Sequence, residues 1–397
     1  MGKKRGNGEG TIVRRRDGRW MGQVSMGRDA PSGRLVRVTV YGQTRQSVAA
    51  KVTKLISDRN LGRPILTINL TPGDWLERWL RLYVSQKRPA TLENYESNVR
   101  VHIKPVLGHI PMRDLRPQHI QALYVDLLAS GAVRRDGGLS PRTVRLIHVI
   151  LHAALRQAVR EDLLVRNVAD SASPPRPAHR EPVPPTPEDM EQLLVAAEGH
   201  RLFALYLLYW TTGARRGELL ALRWTDVDLQ QGTMRIRRQL ARTRTGLVYG
   251  EPKTPHARRA IPLADVAKEA LREHQARQDA EKKLLGDAYA DEDLVFATVD
   301  GHAIDPGNAL RTFRLLLAKA GLPPYRLHDL RHAFAALLLQ RGENPKVVQA
   351  LLGHSSVVTT LEIYNHLIPG LTEQAIDSLN ETLSKAVPGV GASGASR

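Results

Sequence analysis

There is no cysteine among the 397 residues, which excludes disulfides, zinc ribbons, thiolate catalysis and Cys-ligated clusters and fits a reducing compartment. No run reaches the roughly 18 apolar residues of a membrane-spanning helix. Met1–Glu9 is basic and Gly-rich, with no apolar stretch of a secretion signal behind it. These absences lead us to expect a cytoplasmic, nucleoid-associated protein with no membrane partner. No Gly-x-x-x-x-Gly-Lys-[Ser/Thr] loop and no His-Glu-x-x-His helix occurs, so no nucleotide, metal or other cofactor is expected. Acid is also scarce, with 40 Asp and Glu against 58 Lys and Arg and a formal charge of +18. Such a balance favours polyanionic partners, nucleic acid first, although charge alone describes a well-solvated surface equally well.

The charge is uneven: residues 1–64 hold 15 Lys and Arg against 4 Asp and Glu. Thr11–Arg15, Arg19–Ser25 and Leu35–Tyr41 read as short strands, separated by turn residues at Asp17-Gly18 and Asp29–Gly33. Thr44 opens a helix to about Leu61, with Val48, Val52, Leu55 and Ile56 spaced to cover one face of the strands. Arg14, Arg16, Arg19, Arg34 and Arg37 lie on or beside those strands as candidate DNA contacts, since a small sheet fits a major groove; a solvated face is the bland alternative.

From Leu66 to Asp170 the pattern is helical. Ser140-Pro141 starts a helix to Arg160, with Ser as cap and Pro in the first turn. Val144, Ile147, Leu151 and Leu155 share its apolar face, and Arg142 and Arg145 lie on another as further candidate DNA contacts. His148 and His152 on this helix read as packing or surface residues, because no carboxylate pattern accompanies them. Residues 171–187 contain seven prolines and no apolar period, the composition of a stiff linker. Beyond it come helices, strands between Gly232 and Leu263, and helices again. Residues 387–397 are small and Gly/Ser/Ala-rich, so a flexible tail is expected.

Four stretches after the linker carry candidate chemistry. In Thr212–Glu218, Gly213 can turn the chain into a helix on which Arg215 and Glu218 share a face, so the carboxylate can orient the guanidinium; a surface ion pair is the other reading. Pro252-Lys253-Thr254 lies in an expected hairpin whose return strand is Arg259–Leu263. His328 and Arg331 sit one helical turn apart, with Leu330, Phe334, Leu337 and Leu338 as the buried stripe. Leu351-Leu352-Gly353-His354 ends one helix at Gly353, Ser355 or Ser356 can cap the next, and Tyr364 lies within it, where packing in a core is its ordinary use.

In this order the four stretches resemble the tyrosine recombinases, or phage-type integrases, whose active site is an Arg, a hairpin Lys, a His-x-x-Arg, a second His or Trp, and a Tyr. The resemblance implies Arg215, Lys253, His328, Arg331 and His354 as catalytic residues, Tyr364 as nucleophile, and Glu218 in support. It implies an α+β, mainly helical fold with three domains: an arm-type DNA-binding domain of three strands and a helix (1–64), a helical, SAM-like core-binding domain (65–170), and, after the linker 171–187, a mixed α/β catalytic domain (188–386).

The residue types suit that chemistry. A phenol with a pKa near 10 is a poor nucleophile until a neighbour takes its proton, a role for His328. Two arginines can clamp the phosphate oxygens on which charge builds. In the family the hairpin lysine, here Lys253, protonates the leaving 5′ oxygen, and His354 donates a hydrogen bond to phosphate. A 3′-phosphotyrosyl intermediate then stores the bond energy for rejoining. The expected function is site-specific recombination that integrates or excises a mobile element. Implied partners are double-stranded DNA at core and arm sites, a homotetramer on DNA, for which Leu371–Leu383 is a candidate docking helix and a helix packed on its own domain the equal alternative, and a DNA-bending or excision factor. Type IB topoisomerase-like relaxation and a catalytically idle architectural regulator are the alternatives.

Overall fold

The computed structural model describes residues 10–28, 35–60, 70–132, 136–178, 184–252 and 255–354, together with Ser356, Val358, Ile376, Asp377, Leu379 and Asn380. Lys253, Arg34, Tyr364, the tail 387–397 and most of Leu371–Leu383 lie outside the described residues. The chain divides into two compact units, with the boundary between His179 and Arg180, inside the Pro-rich stretch.

The first unit opens with β1 (Thr11–Arg14), β2 (Trp20–Arg28) and β3 (Leu35–Gly42), an antiparallel sheet in that order. Asp17 shapes the first turn by accepting from the Arg19 amide at 3.1 Å. Thr44 caps α1 (Arg45–Asn60), its hydroxyl accepting from the Ser47 amide. Val48 and Val52 of α1 bury against Val24, with Ile12, Trp20, Val40, Leu55 and Ile56 around them.

Strand alternation assigns the arginines to faces. Ile12, Gly22 and Val40 are in register, so Arg14 shares the helix-covered side at its edge. Arg37, opposite Ser25, is on the open face with Gln23, Thr39 and Tyr41. Arg15, which the sequence reading passed over, holds its guanidinium over the Tyr41 ring at 5.5 Å. Arg16 and Arg19 are exposed in the turn.

The remainder of this unit is helical: α2 (Pro72–Trp79), whose helical path continues through Val84, α3 (Pro89–Asn98), continuing through Ile103 into α4 (Lys104–Leu107), α5 (Pro117–Ser130) and α6 (Pro141–Arg160). The Ser140 hydroxyl accepts from the Thr143 amide at 3.2 Å, and Pro141 supplies the first turn. Seven apolar residues of α6 from Val144 to Ala158 are buried, and the buried Trp75 indole donates to Ala154 O at 2.8 Å. Arg142, Arg145, Arg156 and Arg160 are exposed on the other side.

Two details of this unit differ from what the sequence suggests. His152 does have a carboxylate, Asp170, at 2.7 Å, while His148 bonds the Tyr124 hydroxyl at 2.6 Å; even so, no group of three or more possible metal ligands occurs among the described residues. The start of the expected linker is also docked: Ala172 is buried in the helical cluster and the Ser173 amide donates to Gln121.

The second unit contains α7 (Pro187–Ala197), α8 (Phe203–Thr212), α9 (Arg216–Leu219), β4 (Val227–Asp228), β5 (Thr233–Ile236), β6 (Gln239–Thr243), β7 (Gly246–Gly250), β8 (Arg259–Pro262), α10 (Asp265–Leu285), α11 (Pro306–Lys319), α12 (Asp329–Gln340) and α13 (Pro345–Leu352). Thr186 and Asp189 cap α7 reciprocally. α8 is buried nearly all round, Ala204 to Tyr209 without a break, as a central helix must be. Its Tyr206 and Tyr209 share the core with Phe296 and Phe313.

β8 was expected to return in a hairpin on the strand before Lys253. It instead joins β4 and β5 in a separate antiparallel sheet, with Ile261 opposite Met234 and Arg259 opposite Ile236, while β6 and β7 pair with each other. The physical reason is apolar alternation: Ile261 and Met234 are both fully buried, so this pairing covers their side chains. Lys253 therefore belongs to the segment joining the β6–β7 hairpin to that sheet. No helix among the described residues is long and apolar enough to cross a membrane.

Candidate active site

The site is assembled around two glycine turns. α8 ends at Gly213, whose φ of 58° is left-handed. A Cβ there would stand 2.5 Å from Phe334 Cδ1 and 2.8 Å from Leu352 Cδ2, so glycine meets both a conformational and a steric demand. Two residues on, Arg215 caps α9, and Glu218 reaches back to it. The Arg215 amide donates to Glu218 Oε2 at 3.0 Å and its Nη1 to Oε1 at 2.8 Å. Glu218 is 2% exposed, which removes the surface-pair reading. Burial disfavours its ionised form, but Arg259 and Arg215 outweigh that and hold its carboxyl below the ordinary range.

The second turn is Gly353, left-handed at φ 66°, ending α13. The last carbonyls of a helix lack intrahelical partners and carry the negative end of its dipole. Here three successive ones each take an arginine. Arg259 Nε donates to Leu351 O at 2.5 Å, Arg331 Nη2 to Leu352 O at 2.6 Å, and Arg215 Nη2 to Gly353 O at 3.3 Å. Arg331, 2% exposed, also donates through Nη1 to Gly213 O at 2.5 Å. One buried guanidinium thereby ties both glycine turns together.

His328 precedes α12, one turn before Arg331, as expected. Its ring meets that of His332 edge to face, centroids 4.9 Å apart. The buried stripe of α12 differs in detail: Leu330 and Phe334 are buried, but Leu339 is the buried leucine near its end, while Leu337 and Leu338 are half-buried. Burial, then His332, Arg331 and Arg215, push the pKa of His328 down to about 4. Burial, then Arg331, Arg215, His328 and His332, push that of His354 down to about 3. Both imidazoles are neutral at pH 7, the form in which a histidine can accept a proton.

These shifts set a pH dependence. An unfolded histidine gains its proton near pH 6.5, whereas the folded ones wait until about 4 and 3. Between those limits the unfolded chain binds more protons, so stability is fully present above pH 6.5 and declines as pH falls through that window. Thermal unfolding midpoints should fall from pH 7 to 4.5, and less steeply in His328→Asn and His354→Gln; equal slopes in all three proteins would refute the assignment.

Arg215, Glu218, His328, Arg331 and His354 thus converge in one place. Lys253 and Tyr364 have only their surroundings described. Ala257, four residues after Lys253, offers its carbonyl to Arg259 Nη1 at 3.0 Å. Ser356, eight residues before Tyr364, accepts from the Val358 amide at 3.2 Å, as a helix cap does. The residue missed from sequence is Arg259. Its only signal was period-two alternation, which puts it on the same face as Ile261.

Comparison with known proteins follows the same lines. Residues 186–369 match the Phage integrase family, and residues 71–128 match the Phage integrase, N-terminal SAM-like domain. The chain is 31% identical over 378 residues to a tyrosine recombinase XerC-like protein of Caldanaerobacter subterraneus subsp. tengcongensis, covering 90% of this chain and 95% of that one. Its fold resembles that of the Tn1549 transposon integrase in complex with transposon right end DNA, at TM-score 0.64 and 24% identity over 74% of this chain and 94% of that one. It also resembles a lambda integrase tetramer bound to a Holliday junction, at TM-score 0.53 and 22% identity over 87% and 95% of the two chains. The fold, the clustered Arg, His and Glu side chains and this similarity lead to one conclusion: the chain belongs to the phage integrase family of tyrosine recombinases, enzymes that cleave and rejoin DNA strands.

Proposed function

We propose that this site-specific recombinase of a mobile element acts through Tyr364, with Arg215, Arg331, His328, His354 and Lys253 as its catalytic residues. The observation that carries the reading is the convergence of Arg215, Arg331, His328 and His354 on the end of α13. The Tyr364 hydroxyl attacks phosphorus, its proton passing to neutral His328. The bond to the 5′ oxygen breaks as that oxygen takes a proton from Lys253, leaving a 3′-phosphotyrosyl link. Attack by a new 5′ hydroxyl reverses each step and rejoins the strand. Arg215 and Arg331 stabilise the charge on the non-bridging oxygens, and a preorganised guanidinium is effective because it needs no reorientation during the reaction.

The role of Lys253 is tested by making its proton unnecessary. Lys253→Ala should slow cleavage of an ordinary phosphodiester by about 10²–10⁴ yet cleave a bridging 5′-thiolate linkage, whose sulfur leaves without protonation, at nearly the wild-type rate. A defect of the same size on both substrates excludes Lys253 as the acid. Duplexes for the assay follow from sequencing the DNA beside the gene for a repeated attachment site.

Residues 1–64 are read as an arm-site module, with Arg15, Arg37 and Tyr41 of the open face toward DNA and Arg16 and Arg19 at its edge; Arg142 and Arg145 of α6 are read as core-site contacts. Deleting 1–64 should weaken binding to accessory sites and lower the salt dependence of that binding, by about one unit of slope per lost phosphate contact; an unchanged slope contradicts the assignment. Exchange between two duplexes needs four active sites, and the lambda integrase tetramer supports the same assembly here, with a DNA-bending or excision factor setting its direction.

A further inference from the structure

We propose that Arg259 is a positioning residue for strand cleavage, holding both the carboxylate that aims Arg215 and the helix end that carries His354. This rests on the role given to Arg215 above. The guanidinium of Arg259 is spent in three directions: Nε on Leu351 O at 2.5 Å, Nη1 on Ala257 O at 3.0 Å and Nη2 on Glu218 Oε2 at 3.0 Å. Glu218 passes the constraint to Arg215, and Arg215 returns it to Gly353 O. The circuit is closed and largely out of water, the Arg259 side chain being 7% and that of Glu218 2% exposed. Gly353 sits directly on it, since a Cβ there would lie 3.0 Å from Arg259 Nη1.

Charge makes this more than a brace. Glu218 alone would cancel Arg215, and the pair would present no net charge to a phosphate. With Arg259 sharing the same carboxylate, the trio keeps one positive charge, and Arg215, the more exposed of the two arginines at 31%, is where it meets substrate. A lysine at 259 restores the charge but not the three-way fork.

The test uses the full chain on a nicked core-site duplex, with either a phosphodiester or an uncharged methylphosphonate at the scissile position. Covalent product is measured in a single turnover at saturating protein, alongside DNA affinity and thermal unfolding. Arg259→Met should slow phosphodiester cleavage about a hundredfold with affinity unchanged. Its deficit should shrink by about tenfold on the methylphosphonate, as should that of Arg215→Ala, because a methyl replaces one non-bridging oxygen there and the linkage carries one negative charge fewer for Arg215 to answer. Arg259→Lys should fall between wild type and Arg259→Met, and it carries the comparison if the methionine variant does not fold. A deficit of equal size on both linkages, or none, overturns the proposal. If Arg215→Ala itself cleaves like wild type, the active-site reading fails; if Arg215→Ala is slow and both Arg259 variants are not, only the role of Arg259 fails.

Discussion

An Arg331→Met variant is expected to cleave DNA about a thousandfold more slowly, or worse, and to unfold at a distinctly lower temperature. Both effects come from one guanidinium. It is 2% exposed and donates to Gly213 O and Leu352 O, so its loss leaves two buried carbonyls unpaired at about 1–3 kcal/mol each. Methionine fills much of the volume and packs as a flexible apolar chain, which spares the fold a large cavity but not those carbonyls. The turn at Gly213 that precedes Arg215 and the turn at Gly353 that precedes His354 then lose their common tie, so the remaining catalytic groups lose their alignment in addition to the missing clamp. Arg331→Lys recovers charge and at most one carbonyl, and should recover stability more than rate. Cleavage reduced only in proportion to the unfolded fraction would show that Arg331 is structural and nothing more.

Much of this was readable from local sequence, for reasons specific to each element. α6 runs from Pro141 to Arg160 as expected, because Ser140 and Pro141 mark its start and its apolar period is unbroken. The i,i+3 spacings of Arg215 with Glu218 and of His328 with Arg331 are local geometry, and both were met. What was not readable depends on contacts distant in sequence. Nothing near Arg331 announces that Gly213, 118 residues away, will accept its hydrogen bond. Arg259 read only as the first residue of an expected hairpin strand, and it is the pairing of β8 with β5 that turns it inward beside Ile261. Arg15 escaped notice because its partner, Tyr41, is two strands away. The burial of Glu218 likewise follows from Arg259, which a local reading could not supply.

The largest effect is expected at Tyr364. A nucleophile has no substitute within its site, and removing one elsewhere costs on the order of a millionfold. Tyr364→Phe keeps the ring, so it should bind core-site DNA as wild type does and leave no covalent product. A nicked duplex that loses its 5′ fragment on cleavage traps the intermediate, because no 5′ hydroxyl remains to reverse it. The direct measurement is to incubate wild-type protein with that duplex, digest both chains and sequence the peptide that retains the nucleotide. The account predicts one linked peptide, joined through Tyr364 to a 3′ phosphate and absent from Tyr364→Phe. A link through any other residue, or no link from wild-type protein that binds the site, would contradict it.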